Sequence, residues 1–87
     1  RLSVFVLPYE FQTRKENCTS HFLKPQYKVQ DILINLNIKF KDYTDFFCNH
    51  EKPSVLFLKY DPVHLSPKGH KLVFNLLKKE LNYLENQ

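Results

Sequence analysis

The sequence predicts an α/β fold with a parallel sheet. Two observations carry this prediction: the order strand, helix, strand over residues 2–40, and a second helix that begins after Ser66. Two strands joined through a helix form a βαβ unit, whose strands run parallel. Two or three strands do not make a stable parallel sheet with both faces covered, so we expect these elements to belong to a larger α/β domain.

The first half of the chain supplies the βαβ unit. Leu2–Leu7 is a nearly continuous apolar run before a proline, which predicts a strand buried on both faces. Tyr9–Lys24 is polar and is expected to form a long loop. Pro25 fits the first position of a helix, and Asn37 fits a left-handed cap at its end. Ile38–Phe40 then predicts the second strand. The apolar stripe expected on the helix consists of Val29, Ile32, Leu33 and Leu36.

The second half predicts shorter elements and one long helix. Asp42–Phe47 is expected to form a turn or a short helix. Val55–Leu58 is an apolar run that predicts a short, buried extended segment. Ser66 is a suitable N-cap, and Pro67 suits the first position of the last helix. Gly69 would be the third residue of that helix, where glycine costs stability relative to alanine, so we expect close packing there.

Composition excludes some classes of function. The formal charge of +4 comes from 13 basic and 9 acidic residues, and the basic residues occur in scattered pairs. No basic stripe with aromatic residues is visible, so nucleic-acid binding is not predicted. No apolar run approaches the length of a membrane span. Cys18 and Cys48 could form a disulfide or remain two buried thiols. No compartment is indicated.

The stretch Tyr60–His70 holds the candidate chemistry. Asp61 and His64 are three residues apart across a proline-containing turn, so the carboxylate can reach the Nδ1–H of the imidazole. Nε2 would then be free to take a proton from a hydroxyl nucleophile. One alternative is a surface loop whose acid and histidine only cap the following helix. Another is a zinc site of Asp61, His64 and His70, which is disfavoured because His70 is expected on the core-facing side of the helix.

These residues resemble the last signature block of the SGNH, or GDSL, hydrolase family. That block is an Asp-x-x-His followed by a short turn, a glycine and the C-terminal helix. Here it reads Asp61-Pro62-Val63-His64-Leu65-Ser66-Pro67-Lys68-Gly69-His70. Leu2–Leu7 is similar to the family's penultimate core strand, Pro25–Asn37 to the following helix and Ile38–Asp42 to the last strand. The resemblance implies the C-terminal part of a three-layer α/β/α, flavodoxin-like domain.

By this resemblance His64 would be the general base and Asp61 the acid that orients it. Family members are esterases, lipases, acyl-thioesterases or carbohydrate deacetylases, which implies an ester or acetylated small-molecule or carbohydrate substrate. No metal or organic cofactor is implied.

The family's nucleophile block is missing from the sequence. In the family the nucleophile is the serine of a Gly-Asp-Ser block, and the oxyanion hole uses a Gly-x-Asn block. This chain has one glycine, Gly69. No Gly-Asp precedes any of its serines, which are Ser3, Ser20, Ser54 and Ser66. We therefore expect residues 1–87 to be the C-terminal fragment of a single SGNH hydrolase-like domain, inactive without the missing N-terminal half. The alternative is a non-catalytic interaction module that retains the remnant of the fold.

Overall fold

The computed structural model describes residues 2–85, with only the backbone described for 83–85. The chain is a small mixture of helices and two strands. In order along the chain these are β1 (Ser3–Val6), α1 (Glu10–Thr13), α2 (Lys24–Asn35), β2 (Lys39–Asp42), α3 (Thr44–Cys48) and α4 (Pro67–Glu85). Two 3-10 helices, Lys15–Asn17 and Pro53–Leu56, lie between them.

The predicted parallel pairing of the two strands is confirmed. β1 and β2 pair from Ser3 opposite Lys39 to Val6 opposite Asp42. The left-handed cap between α2 and β2 is also confirmed, since Asn37 has a φ of 57°. The prediction of a strand buried on both faces was wrong, because β1 is only half-buried. A sheet of only two strands is too narrow for other elements to pack over both of its faces.

The predicted stripe of α2 is only partly used. The helix starts at Lys24, so Pro25 is its second residue and the predicted start was one residue too late. Of the stripe only Leu33 is buried, whereas Val29, Ile32 and Leu36 are exposed. Helical spacing identifies a face of a helix, but the neighbouring elements decide how much of that face is covered.

The core lies where α3 and the second 3-10 helix meet α4. Its buried residues are Tyr43, Phe47, Leu56 and Phe57, with Phe5, Leu65, Leu72, Val73, Leu76 and Leu77 packed against them. The prediction of an extended segment over Val55–Leu58 was wrong. Its first half belongs to the 3-10 helix Pro53–Leu56, and only Phe57 makes a strand-like bridge, antiparallel to Leu65. Pro53 explains the difference, because its fixed φ suits the start of a helical turn.

The expected long loop over Tyr9–Lys24 is also partly helical, since it contains α1 and the first 3-10 helix. The state of the cysteines, which the sequence leaves open, is settled by a disulfide between Cys18 and Cys48, with their Cα atoms 6.1 Å apart. In residues 2–85 no helix combines the length and the apolar character needed to cross a lipid bilayer.

Candidate active site

The residues between the 3-10 helix and α4 form a closed loop that carries Asp61 and His64. The N–H of Leu58 donates to the carbonyl of His64 at 2.9 Å, and the N–H of Asp61 donates to the carbonyl of Leu58 at 3.1 Å. Tyr60 turns the chain with a φ of 63°, a left-handed conformation that non-glycine residues rarely adopt. The loop is therefore fixed by its own main chain.

The structure brings the two predicted site residues together. His64 Nδ1 lies 2.8 Å from Asp61 Oδ2. The other carboxylate oxygen, Asp61 Oδ1, accepts the N–H of Val63 at 3.1 Å and the N–H of His64 at 3.2 Å. The carboxylate thus accepts three hydrogen bonds, which hold it in a single orientation toward the ring.

These contacts also favour the ionised form of the carboxyl group. The N–H of Val63, the His64 ring and the N–H of His64, in that order, lower the pKa of Asp61 below its ordinary value. An ionised Asp61 stabilises the tautomer in which Nδ1 carries the proton, so that the lone pair of the neutral ring lies at Nε2. The His64 side chain is 74% exposed and can meet a reactant. The pair has the arrangement of a general base and its orienting acid.

The frame beneath the loop is built from Ser66 and Gly69. The Ser66 hydroxyl accepts the N–H of Gly69 at 3.2 Å, which confirms its predicted role as N-cap of α4, and it donates to the carbonyl of Val55. The N–H of Ser66 donates to the carbonyl of Leu56 at 3.0 Å. A Cβ at Gly69 would collide with that same carbonyl, which confirms the close packing predicted there.

His70 was expected on the core-facing side of α4, and this expectation was wrong, because His70 is exposed. Its neighbours on the helix explain the difference. Leu72, Val73, Leu76 and Leu77 supply the face that packs on the core. Among residues 2–85, no three histidine, cysteine or acidic side chains lie close enough together to hold a metal ion.

Comparisons with family models, with curated proteins and with solved structures found no match to this chain.

Helix α1 is a part of the site that the sequence reading missed. The N–H of Glu10, its first residue, donates to the carbonyl of Pro62 at 2.9 Å. The signal for this helix is Gln12, whose side chain accepts the N–H of Tyr9 at 2.9 Å. This is one half of a capping box, a pattern that normally begins with serine or threonine and here begins with tyrosine.

A groove of about 690 Å³ runs beside the loop and α1. Its lining includes Asp61 and Pro62 of the loop and Glu10 and Arg14 of the α1 region, but it does not include His64. Its volume lies within the range of small-molecule sites, about 300–1,000 Å³. Ser54 also lines it, but within residues 2–85 the hydrogen-bond partner of the His64 ring is Asp61 and not a serine. The described chain thus pairs an acid with a base but supplies no nucleophile to them.

Proposed function

We propose that this chain supplies the acid–base half of a serine ester hydrolase of the SGNH type. The observation that carries the proposal is the hydrogen bond of 2.8 Å between His64 Nδ1 and Asp61 Oδ2. It lies in a loop whose sequence resembles the last signature block of that family. The proposed domain is a three-layer α/β/α, flavodoxin-like one, and the parallel pair β1–β2 is compatible with its C-terminal part.

In the proposed reaction His64 acts as the proton carrier. Nε2 takes the proton of a serine hydroxyl as the serine attacks the ester carbonyl, and it returns the proton to the departing alcohol. Asp61 stays ionised, holds the ring and stabilises the imidazolium that forms. Water then releases the acyl group by the same route. The serine and the oxyanion donors come from polypeptide outside these 87 residues, and the substrate is an ester or acetylated small molecule or carbohydrate.

The first measurement is the intact mass of the native gene product. We expect a mass above 10.5 kDa and a Gly-Asp-Ser peptide upstream of Arg1. In that protein, a fluorophosphonate should label the serine of this peptide. His64→Ala should slow both labelling and hydrolysis of an activated acetyl ester by about 10²–10⁴-fold. Lys71→Ala, an exposed change on α4, is the control and should leave both rates unchanged. Full activity of His64→Ala would refute the proposed role.

The 87-residue chain alone should be inactive toward the same ester. Oxyanion donors contribute several kcal/mol to transition-state stabilisation, and an imidazole without a nucleophile cannot replace them. Hydrolysis by the isolated chain that disappears in His64→Ala would contradict this claim of inactivity.

The second candidate is a non-catalytic interaction module, and the exposed apolar side chains favour it. They are Val29 and Ile32 on α2, Leu36 directly after it, and Phe74 and Leu81 on α4. Exposed apolar side chains mark an interface where they form a large patch. Size-exclusion chromatography separates the two candidates. A module should elute as a defined oligomer or complex, whereas half of a hydrolase domain should aggregate or be loosely folded on its own.

A further inference from the structure

The disulfide lies against α1, although neither of its cysteines belongs to that helix. Cys18 Sγ lies 3.3 Å and Cys48 Sγ lies 3.7 Å from the carbonyl oxygen of Gln12. The bond joins the segment after α1 to the last residue of α3. It therefore anchors α1 to the element that contributes Phe47, the most deeply buried core residue, to the packed interior.

Helix α1 depends on such links for its position. It has four residues, and a single helical turn is not stable by itself in water. Apart from the disulfide, it is held by buried polar contacts. Gln12 Nε2 donates to the carbonyl of Phe22 at 3.1 Å and to Gln26 Oε1 at 2.8 Å, and Asn17 Nδ2 donates to the carbonyl of Phe11 at 2.8 Å.

Helix α1 in turn holds one peptide group of the acid–base loop at its oxygen end. The peptide between Pro62 and Val63 is planar, so its C=O and its N–H move together. The C=O accepts the N–H of Glu10 at 2.9 Å, and the N–H donates to Asp61 Oδ1 at 3.1 Å. A shift of α1 would rotate this plane and withdraw a donor from the carboxylate that orients His64.

We infer that the Cys18–Cys48 disulfide, acting through α1 and the Glu10–Pro62 hydrogen bond, positions Asp61 for its contact with His64. Cys18, Cys48 and Glu10 are positioning residues in this inference, and none of them touches the imidazole. As a statement about catalysis the inference rests on the proposed function. The geometry of the loop does not depend on the proposed function, and the pKa of Asp61 and the amide exchange rate of Val63 report on that geometry.

Glu10 offers a substitution that removes only the linking donor. It is the first residue of α1, a position that accepts proline, and Tyr9 before it is extended, with φ −83° and ψ 158°. Glu10→Pro deletes the N–H and leaves the disulfide in place. Glu10→Ala is the matched control, because it also loses the carboxylate that pairs with Arg14 but keeps the N–H.

The readout is the pKa of Asp61, followed through its side-chain carboxyl resonance by NMR in the native gene product. In the oxidised chain and in Glu10→Ala this pKa should lie below its ordinary value of about 3.9. Glu10→Pro should move it toward the ordinary value and speed amide exchange of Val63 about two- to tenfold, as expected for one lost hydrogen bond. Reduction of the disulfide by dithiothreitol, giving two thiols, should have the same effect on both readouts.

Three results would overturn the inference: an ordinary Asp61 pKa in the oxidised chain, no change in Glu10→Pro, or no change on reduction. The double variant Cys18→Ser/Cys48→Ser should reproduce the reduced chain and respond no further to dithiothreitol. Failure of the hydrolase proposal looks different, because it is read from serine labelling and ester turnover and leaves these titrations unaffected.

Discussion

Replacing Gly69 with alanine is expected to destabilise the fold, although alanine is the better helix former. A Cβ at Gly69 would collide with the carbonyl of Leu56 and press on the side chain of Leu65. The Leu56 carbonyl oxygen is a main-chain atom, and it already accepts the N–H of Ser66 at 3.0 Å. It cannot move aside without disturbing the frame that supports the Asp61–His64 loop.

Opposing effects set the size of the change in stability. The exchange of glycine for alanine in a helix favours folding by about 1 kcal/mol. Forcing a methyl group into packed structure costs about 1–3 kcal/mol, and losing the hydrogen bond between Ser66 and Leu56 costs about 1 kcal/mol more. The unfolding free energy should therefore fall by about 1–3 kcal/mol. For a domain of this size that lowers the melting temperature on the order of 10 °C.

Urea unfolding followed by circular dichroism, with the disulfide intact, measures this change. Lys68→Ala is the control, because Lys68 is exposed in the same turn of α4 and should change stability by less than about 0.5 kcal/mol. If Gly69→Ala is as stable as the parent chain or more stable, the higher helix propensity of alanine outweighs any steric cost. The close approach of the Leu56 carbonyl to α4 would then be refuted.

Three further predictions concern acid, a buried hydroxyl and the disulfide. Because hydrogen bonds lower the pKa of Asp61, its contribution to stability is present above about pH 4 and is lost as the pH falls through the folded-state pKa. Urea titrations at neutral and acidic pH should show a larger loss in the parent chain than in Asp61→Asn. Tyr43 is buried, its pKa is raised by burial and by Glu80, and its hydroxyl has no partner among the described residues. Tyr43→Phe should leave the unfolding free energy unchanged or raise it by about 1 kcal/mol, and a clear decrease would reveal an unseen partner. Reduction of the disulfide, which closes a loop of 30 residues, should lower the unfolding free energy by about 3–4 kcal/mol in the same assay.

The sequence predicted those elements that carry their own local signal. Pro25 marks the start of α2 and Asn37 marks its end, so the order strand, helix, strand and the parallel pairing could both be read. The burial of the stripe on α2 could not, because it depends on how many strands lie beneath the helix. Val55–Leu58 failed for another reason. Four apolar residues in a row fit a strand and a 3-10 turn equally well, and Pro53 was the feature that distinguished them.

The candidate site was predictable where side chains carry the contact and unpredictable where main chains do. A spacing of three residues across Pro62 was enough to predict the contact between Asp61 and His64. Glycine at a costly helical position was enough to predict close packing at Gly69. The hydrogen bond from Glu10 to Pro62 joins two main-chain groups far apart in the chain, and neither residue type predicts it.

The Asp61–His64 pair is held in one orientation but remains exposed to solvent. This contrast distinguishes the two candidate functions. Three donors hold a carboxylate whose side chain is 37% exposed against an imidazole that is 74% exposed. A docking surface does not need this arrangement, so a module should keep its partner affinity in His64→Ala and lose it in Ile32→Ser, which removes an exposed apolar side chain of α2. In a hydrolase completed by further polypeptide, His64→Ala should instead slow turnover by about 10²–10⁴-fold while leaving the assembly intact. If His64→Ala weakens the association itself, the imidazole is part of an interface, and the general-base assignment fails.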